Sequence, residues 1–209
     1  MAVEIHRYSS EYFASLVRLL DESFGIANPA KSDLICWKFF DSIHRGGTVM
    51  AVALDDDRVV SQYANTPVTL TYDGLPFPAM VCADMATAPA YRGQGLITRL
   101  AREVYAEVVR SGAALSIGYS NEEGLKVDRN AKGYGYRVIG RFGRYLLPLI
   151  RPQRTDVVLE PVRAFDPHDL RDLPAAGLRL DKSAEYLTWR YLRKPHADYA
   201  IHRVLRGRQ

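Results

Sequence analysis

The sequence predicts an α+β fold in which helices flank a mixed, largely antiparallel central sheet and a C-terminal appendage follows. Two helical patterns come before a run of strand patterns joined by short polar turns, which is typical of an antiparallel meander. A strand, a helix and another strand come next, and such a crossover makes the two strands parallel. The composition changes after Pro148, where the appendage is expected to begin.

Length and composition limit the classes of protein to consider. The 209 residues can bury one full core with a little left over, and 47% hydrophobic with 25% charged content is typical of a soluble protein. We therefore assign residues 1–150 to the main domain, and 151–209 to a linker and a partial or reduced second lobe. No stretch is long enough to span a bilayer, and the N-terminus has no apolar secretory core. Cys36 and Cys82 are expected to be reduced and buried, which favours a cytoplasmic location.

The N-terminal part predicts a strand followed by two helices. Residues 1–7 alternate like a strand. A helix opens at residues 9–11 and ends at Gly25, and a second one runs from Ser32 to about Phe40. The first helix keeps one apolar face: Phe13, Leu16, Leu19, Leu20 and Phe24.

Three strands are predicted after these helices. They run near residues 48–54, 59–72 and 79–87. The polar segments 55–57 and 72–74 supply the hairpin turns between them. Prolines 76 and 78 lack amide donors, so we expect them to delay the start of the third of these strands.

The loop and helix after Asp84 carry the clearest functional pattern. Glycines 93 and 95 let main-chain N–H groups approach an anion closely, and the following helix N-terminus favours negative charge. Arg92 adds a permanent cation. The segment therefore predicts a pyrophosphate site, with a plain connection as the alternative. The helix itself is expected over 96–110, with Ser111-Gly112 as its stop and one apolar face: Ile97, Leu100, Ala101, Val104 and Val108.

The motif Arg92-Gly93-Gln94-Gly95-Leu96-Ile97 resembles the signature of the GNAT superfamily of acetyl-CoA-dependent N-acetyltransferases. That signature is Arg or Gln, two residues, Gly, one residue, then Gly or Ala, so Ile97 departs from it. Residues 84–87 look like the family's fourth strand, whose main chain pairs with the pantetheine arm. Residues 116–121 resemble the fifth strand with its terminal Asn, and 135–140 resemble the glycine-aromatic turn into the last hairpin. The resemblance covers residues 3–149, with the four motifs in the family's order.

The resemblance implies direct transfer of an acetyl group from acetyl-CoA, as co-substrate, to a primary amine of a small molecule. Amides near residues 85–87 would bind the thioester carbonyl and the pantetheine. Asn121 would bond the pantetheine arm, although it equally fits the cap of a helix beginning near Glu122. The implied cofactor-binding residues are Met85, Ala86, Thr87, Arg92, Gly93, Gln94, Gly95, Leu96, Ile97 and Asn121.

Asp84 is the first candidate catalytic residue, because a carboxylate that interrupts an apolar strand would be partly desolvated beside the cofactor. The alternative is an Asp that bonds backbone or pairs with an Arg. Many family members carry a Tyr that protonates the departing thiolate at the position of Ala131. Tyr119 and Tyr134 are the nearby phenols that would replace it, and each also fits a role as a core aromatic.

Several other functions receive less support from the sequence. The five His form no recognisable ligand set, so no metal is expected. The basic side chains near the C-terminus lack a nucleic-acid motif and are interpreted as a solvated face: Arg190, Arg193, Lys194, Arg203, Arg206 and Arg208. Neither specific nucleic acid nor a membrane is an expected partner, and a homodimer is the candidate assembly. The rival function is a non-catalytic acyl-CoA-binding module, which Ala131 favours.

A weak internal repeat links the appendage to the main domain. Residues 189–191 followed by the apolar stretch 200–204 have nearly the spacing of 37–39 followed by 49–52. This resembles longer family members whose second lobe begins with a Trp-Arg-aromatic helix end, and coincidence is the alternative. We expect a second lobe that is cut short or reduced to an appendage packed on the first.

Overall fold

The computed structural model describes residues 3–24, 32–41, 43, 44, 46–120, 122, 124, 136–141, 157–170 and 176–206. Helices flank a mixed, largely antiparallel sheet, which confirms the predicted α+β class. The strands are β1 Glu4–Arg7, β2 Val49–Asp55, β3 Arg58–Tyr72, β4 Leu75–Thr87, β5 Ser116–Gly118, β6 Val157–Pro161, β7 Leu178–Leu180 and β8 His202–Arg206. The helices are α1 Phe13–Phe24, α2 Ser32–Phe39, α3 Leu96–Arg110 and α4 Ala184–Leu187.

The main sheet has the order β1-β2-β3-β4-β5, with β7 paired to the far end of β3. Strands β1 to β4 are antiparallel neighbours, and β5 lies parallel to β4 as the crossover predicts. The turn between β3 and β4 is Asp73-Gly74, and both residues have positive φ, 48° and 83°. Asp and Gly tolerate this left-handed backbone, so the turn residues fix the hairpin register.

β4 begins at Leu75, four residues before the start at 79 that the sequence predicts. Pro76 pairs with Thr71 and Pro78 pairs with Thr69, so both prolines lie inside the ladder. In the same alternation, the Met80 N–H donates to the Leu115 carbonyl on the β5 side, 3.0 Å away. The proline nitrogens, which carry no hydrogen, therefore face the β5 side of β4, where β5 does not extend. No hydrogen bond between β3 and β4 is lost at these two positions.

Two apolar cores hold the helices to opposite faces of the sheet. α1 and α2 pack on one face through Leu16, Leu19 and Phe39, and α3 packs on the other through Leu100 and Val104. α3 has the predicted bounds, and Gly112 closes it with φ 77°. The two faces meet at β3 and β4, which carry the candidate site.

The described residues correct the predicted burial of the two cysteines and leave other predictions untested. Cys36 and Cys82 form no disulfide, and each is half-buried, where the sequence predicts burial. Residues 136–141, which include most of the predicted turn into the last hairpin, form neither a helix nor a strand, and residues 142–156 lie outside the described residues. The predicted helix end at Gly25 and residues 151–156, where the predicted linker begins, lie outside the described residues. Within the described ranges, no helix combines the length and apolarity needed to cross a membrane.

The appendage repeats the local geometry of the N-terminus. β6 pairs antiparallel with β8, as β1 pairs with β2. In both pairs, the residue after the first strand donates a hydrogen bond to the partner segment. The Tyr8 N–H donates to the carbonyl of Met50, the second residue of β2, at 3.0 Å. The Val162 N–H donates to the carbonyl of Ile201, the residue before β8, at 2.8 Å. A 3-10 turn follows in each case, at Ser10–Tyr12 and at Pro167–Leu170.

The two tryptophans of this repeat contact each other. Trp37 in α2 and Trp189 in the π-helical turn Thr188–Leu192 stack with ring centroids 4.6 Å apart and planes inclined by 19°. The Trp37 indole N–H also donates to the Trp189 carbonyl at 3.1 Å. The cations Arg190 and Lys194 lie 5.8 and 5.9 Å from the Trp37 ring. These two predicted surface charges therefore help to dock the appendage on α2.

Trp189→Ala should lower the free energy of unfolding by about 2 kcal/mol, because it removes a half-buried ring stacked on Trp37. The near-ultraviolet circular dichroism of the tryptophan pair should fall as well. Leu192→Ala is the control, since this side chain is in the same turn and 38% exposed. Equal losses in urea unfolding for both variants would contradict a docking role for the stack.

Candidate active site

A β-bulge in β4 shapes the candidate site. Between the pairs Gln62↔Ala86 and Ala64↔Ala83, β4 has Asp84 and Met85 where β3 has only Tyr63. Asp84 takes a left-handed backbone with φ 49°. An extra residue of this kind re-aims the side chains around it. Met85 packs against the α3 core, and the Asp84 carboxylate reaches α2 on the other face.

Buried polar side chains of β3 hold the bulge in place. Gln62 is fully buried, and its side-chain amide donates to the Asp84 carbonyl. Ser61, also buried, donates to the Ala86 carbonyl at 3.0 Å and lies 2.8 Å from the Thr87 hydroxyl. The distorted backbone therefore keeps hydrogen-bond partners that the regular ladder no longer supplies.

The Asp84 carboxylate forms an ion pair with Lys38 of α2, with 2.5 Å between Oδ2 and Nζ. The Asp84 side chain is 36% exposed and the Lys38 side chain is 34% exposed, so the ion pair is partly accessible to solvent. The alternative considered for Asp84, a structural ion pair, is thus present, with a lysine in place of an arginine. Two consecutive residues of α2 therefore connect the bulge to the appendage, because Lys38 contacts Asp84 and Trp37 stacks on Trp189.

The loop before α3 has the geometry of an anion site. Gly93 and Gly95 have φ of 78° and 70°, and the space where a Cβ would lie is open at both. Gly95 is the N-cap, so no side chain caps the helix from that position, and the first helical bond is Arg99 N–H to the Gly95 carbonyl at 3.2 Å. The amides of residues 96–98 have no partner within the helix and point out of its N-terminus.

Neighbouring side chains fix this loop. The Arg92 Nε donates to the Thr87 carbonyl at 3.1 Å, which keeps the guanidinium at the loop. Tyr91 donates to the Asp55 carboxylate, and this bond raises the pKa of Tyr91. Gln94 reaches the Ala90 carbonyl at 3.5 Å. The predicted residues 92–97 thus lie together at the start of α3.

The edge of β4 opens towards β5 beside this loop. β5 pairs with β4 only from Met80 to Cys82. From Ala83 to Thr87, the described residues supply no strand on that side of β4. Residues 85–87, predicted to bind a thioester and a pantetheine arm, line this opening, so an extended chain with amide groups can pair there.

A chain of hydrogen-bonded phenols connects β3, α3 and β5. Tyr63 and Tyr105 have hydroxyl oxygens 2.7 Å apart, and Tyr105 donates to Tyr136 at 2.8 Å. The Tyr136 hydroxyl lies 3.2 Å from the Ser116 hydroxyl in β5. Burial raises the pKa of all three phenols, so they remain protonated at neutral pH. Their bonds fix α3 and β5 to the centre of the sheet.

Of the predicted catalytic side chains, the structure describes Asp84 and Tyr119. Tyr119 follows β5 and is 72% exposed. Tyr134, Asn121 and Ala131 lie outside the described residues, so their predicted roles remain predictions. Lys38 and Gln62 are not among the site residues predicted from the sequence. The signal available for both was a polar residue inside an apolar element, the pattern that singled out Asp84.

A cleft of about 420 Å³ lies at the other end of β4, away from the bulge. Its lining includes Phe77 and Met80 together with the polar side chains of His44, Asp181 and Glu185. Burial lowers the pKa of His44. The cleft contains neither Asp84 nor any residue of the loop before α3.

Comparison with protein families identifies the fold. A family model described as an acetyltransferase (GNAT) domain matches residues 4–138. This match spans more than half of the sequence, and the chain belongs to the GNAT family of acetyltransferases. A search of curated proteins found no match. Membership of the family supports an acyltransferase activity.

Solved structures share this fold at low sequence identity. An acetyltransferase from Trypanosoma brucei is 20% identical, with a TM-score of 0.52 over 70% of this chain and 100% of the other. An aminoglycoside acetyltransferase from an uncultured soil metagenomic sample, in complex with sisomicin, is 18% identical, with a TM-score of 0.53 over 69% and 97%. AAC(6')-Iy, in complex with the bisubstrate analogue CoA-S-monomethyl-acetylneamine, is 11% identical, with a TM-score of 0.55 over 71% and 99%. At these identities the likeness extends to the fold alone.

Gln62→Leu should destabilise the protein by about 1–3 kcal/mol, because it removes the part-buried hydrogen bond that the Gln62 amide donates to the Asp84 carbonyl. Chemical denaturation measures this loss. Gln94→Leu is the matched control, since Gln94 is exposed and its 3.5 Å bond is long; its change should stay within about 0.5 kcal/mol. If Gln62→Leu behaved like the control, Gln62 would have no part in holding the bulge.

Proposed function

We propose that this protein moves an acetyl group from acetyl-CoA to a primary amine of a small molecule by direct transfer. The bulge at Asp84 carries the proposal. It places a carboxylate at the start of an open strand edge and beside a glycine loop that leads into a helix N-terminus. These features suit a thioester, a pantetheine arm and a diphosphate in that order.

The residues of the loop fit the diphosphate of the co-substrate. The open space at Gly93 and Gly95 admits phosphate oxygens to the main-chain amides of residues 94–98. Arg92, held at the Thr87 carbonyl, adds positive charge at the same place. Ile97, the departure from the family signature, is half-buried against the α3 core, so its side chain does not fill the loop.

Each remaining group has a role in the proposed transfer. Those main-chain amides of residues 85–87 that point to the open edge would polarise the thioester carbonyl. Asp84 would accept a proton from the acceptor ammonium, which must become a neutral amine before it attacks. The co-substrate supplies the activated acetyl group. Tyr119 lies at the end of β5, and we retain it with Tyr134 as candidate acids for the departing thiolate.

Two related proteins give the acceptor class its support. One of the similar structures is an aminoglycoside acetyltransferase in complex with sisomicin, and another is AAC(6')-Iy in complex with a CoA bisubstrate analogue. We propose an acceptor of similar chemistry, a small molecule with a primary amine such as an amino sugar. A carboxylate at the bulge suits a cationic acceptor, because opposite charges attract across a partly exposed site.

A second candidate is a non-catalytic acyl-CoA-binding module, or a degenerate lobe of a tandem acetyltransferase. The Lys38–Asp84 ion pair favours it, because the candidate base already has a cationic partner. The repeated β1–β2 and β6–β8 pairing favours the tandem arrangement. Release of free CoA thiol in the presence of a panel of amines separates catalysis from binding, and coenzyme binding alone does not.

Gly95→Ala should weaken CoA binding by about tenfold, because the added methyl enters the space that the diphosphate needs. Gly112→Ala is the matched control, with φ 77° and equally open surroundings at the opposite end of α3. Both variants should lose about 1 kcal/mol of stability through backbone strain. Titration calorimetry that finds equal CoA affinity in the two variants would place the diphosphate elsewhere.

Asp84→Asn should lower turnover by about a hundredfold, the usual contribution of a general base, while acetyl-CoA affinity is kept. Asn tolerates the left-handed backbone, so the bulge should survive. Asp73→Asn is the control, because Asp73 has a similar φ of 48° in a turn remote from the bulge. Unchanged turnover in Asp84→Asn would remove this carboxylate from the mechanism.

A further inference from the structure

Lys38 occupies the position that the proposed acceptor amine would take. Its Nζ lies 2.5 Å from Oδ2 of Asp84, the carboxylate that would accept the proton of the acceptor. Of the three lysines that the structure describes, only Lys38 contacts Asp84: Lys194 donates to the Tyr199 hydroxyl at 3.2 Å, and Lys182 is an exposed side chain between β7 and α4. The contact presents a primary amine at the bulge.

The backbone around Lys38 is held on both sides. Trp37, 7% exposed, stacks on Trp189, and Phe39, 1% exposed, belongs to the core beneath α1. The Lys38 Nζ also lies 5.6 Å from the centre of the Phe39 ring. A nucleophile fixed in this way needs little further ordering to react. Its side chain is 34% exposed, which leaves a route for a proton to reach solvent.

We propose that Lys38 is a self-acetylation site of this protein. The inference rests on the proposed binding of acetyl-CoA at the open edge of β4. The ammonium passes one proton to Asp84, and the neutral nitrogen attacks the thioester carbonyl. A C–N bond forms as the C–S bond breaks. Asp84 releases the first proton to solvent and then passes the second proton of the nitrogen to solvent. The departing thiolate takes up a proton from solvent. In sum, a lysine ammonium and acetyl-CoA give acetyl-lysine, CoA thiol and one released proton.

Self-acetylation would change the site that carries it out. Acetyl-lysine has no positive charge, so the ion pair with Asp84 would be lost. The carboxylate would then be open to the ammonium of an external acceptor. The Lys38–Asp84 ion pair would then be a state of the enzyme before self-acetylation, and its presence would be compatible with the proposed transferase activity.

Peptide mapping of the full chain after incubation with carbon-13-labelled acetyl-CoA tests the proposal. Lys38 should gain the labelled acetyl group about tenfold faster than the exposed Lys182, as expected for a positioned amine. The Lys38 rate should saturate with acetyl-CoA and be independent of protein concentration. In urea the two lysines should react equally. Asp84→Asn should slow Lys38 about tenfold and leave Lys182 unchanged.

A second readout does not depend on transfer. CoA without an acetyl group should slow the labelling of Lys38 by an amine-reactive acetylating reagent about fivefold, by covering the bulge, and should leave Lys182 unaffected. Labelling at Lys38 no faster than at Lys182, with CoA binding confirmed by a thermal shift, would overturn self-acetylation and leave the proposed function standing. Absence of CoA binding would overturn both. Lys38→Arg confirms the assignment of the modified peptide, since it keeps a cation that is not acetylated.

Discussion

The extra residue in β4 is the constraint on which the candidate site depends. Because side chains alternate along a strand, one inserted residue exchanges the faces of all that follow. Here the insertion sends Asp84 to the α2 face and Met85 to the α3 face. The same distortion lies within the stretch of β4 that β5 leaves unpaired. Gln62 and Ser61, both buried, supply the hydrogen bonds that make the distorted backbone tolerable.

α2 connects this bulge to the rest of the molecule through three consecutive residues. Trp37 stacks on Trp189 of the appendage, Lys38 contacts the Asp84 carboxylate and Phe39 packs in the core. An event that moves the appendage would therefore act on Lys38 through its immediate neighbour. The appendage also adds β7 to the sheet beside Leu70–Tyr72, so it is attached to the main domain at two separate places.

Local chemistry explains which features could be predicted from the sequence. The bounds of α3 and the turn at Asp73-Gly74 follow from residues adjacent to them, and the structure agrees. The predicted start of β4 at residue 79 was wrong, because Pro76 and Pro78 disrupt a sheet only when their nitrogens face a paired strand. The Asp84–Lys38 pair joins residues 46 positions apart. Such a contact depends on how α2 packs, which no local pattern encodes. The weak Trp repeat became informative only through the matching strand pairs.

A crystal structure of the protein with CoA tests the central claim most directly. The account places the diphosphate on the amides at the start of α3, the pantetheine along residues 85–87 and the sulfur at the bulge near Asp84 and Lys38. CoA found instead in the cleft beside His44, Asp181 and Glu185, with the open edge of β4 empty, would contradict the account.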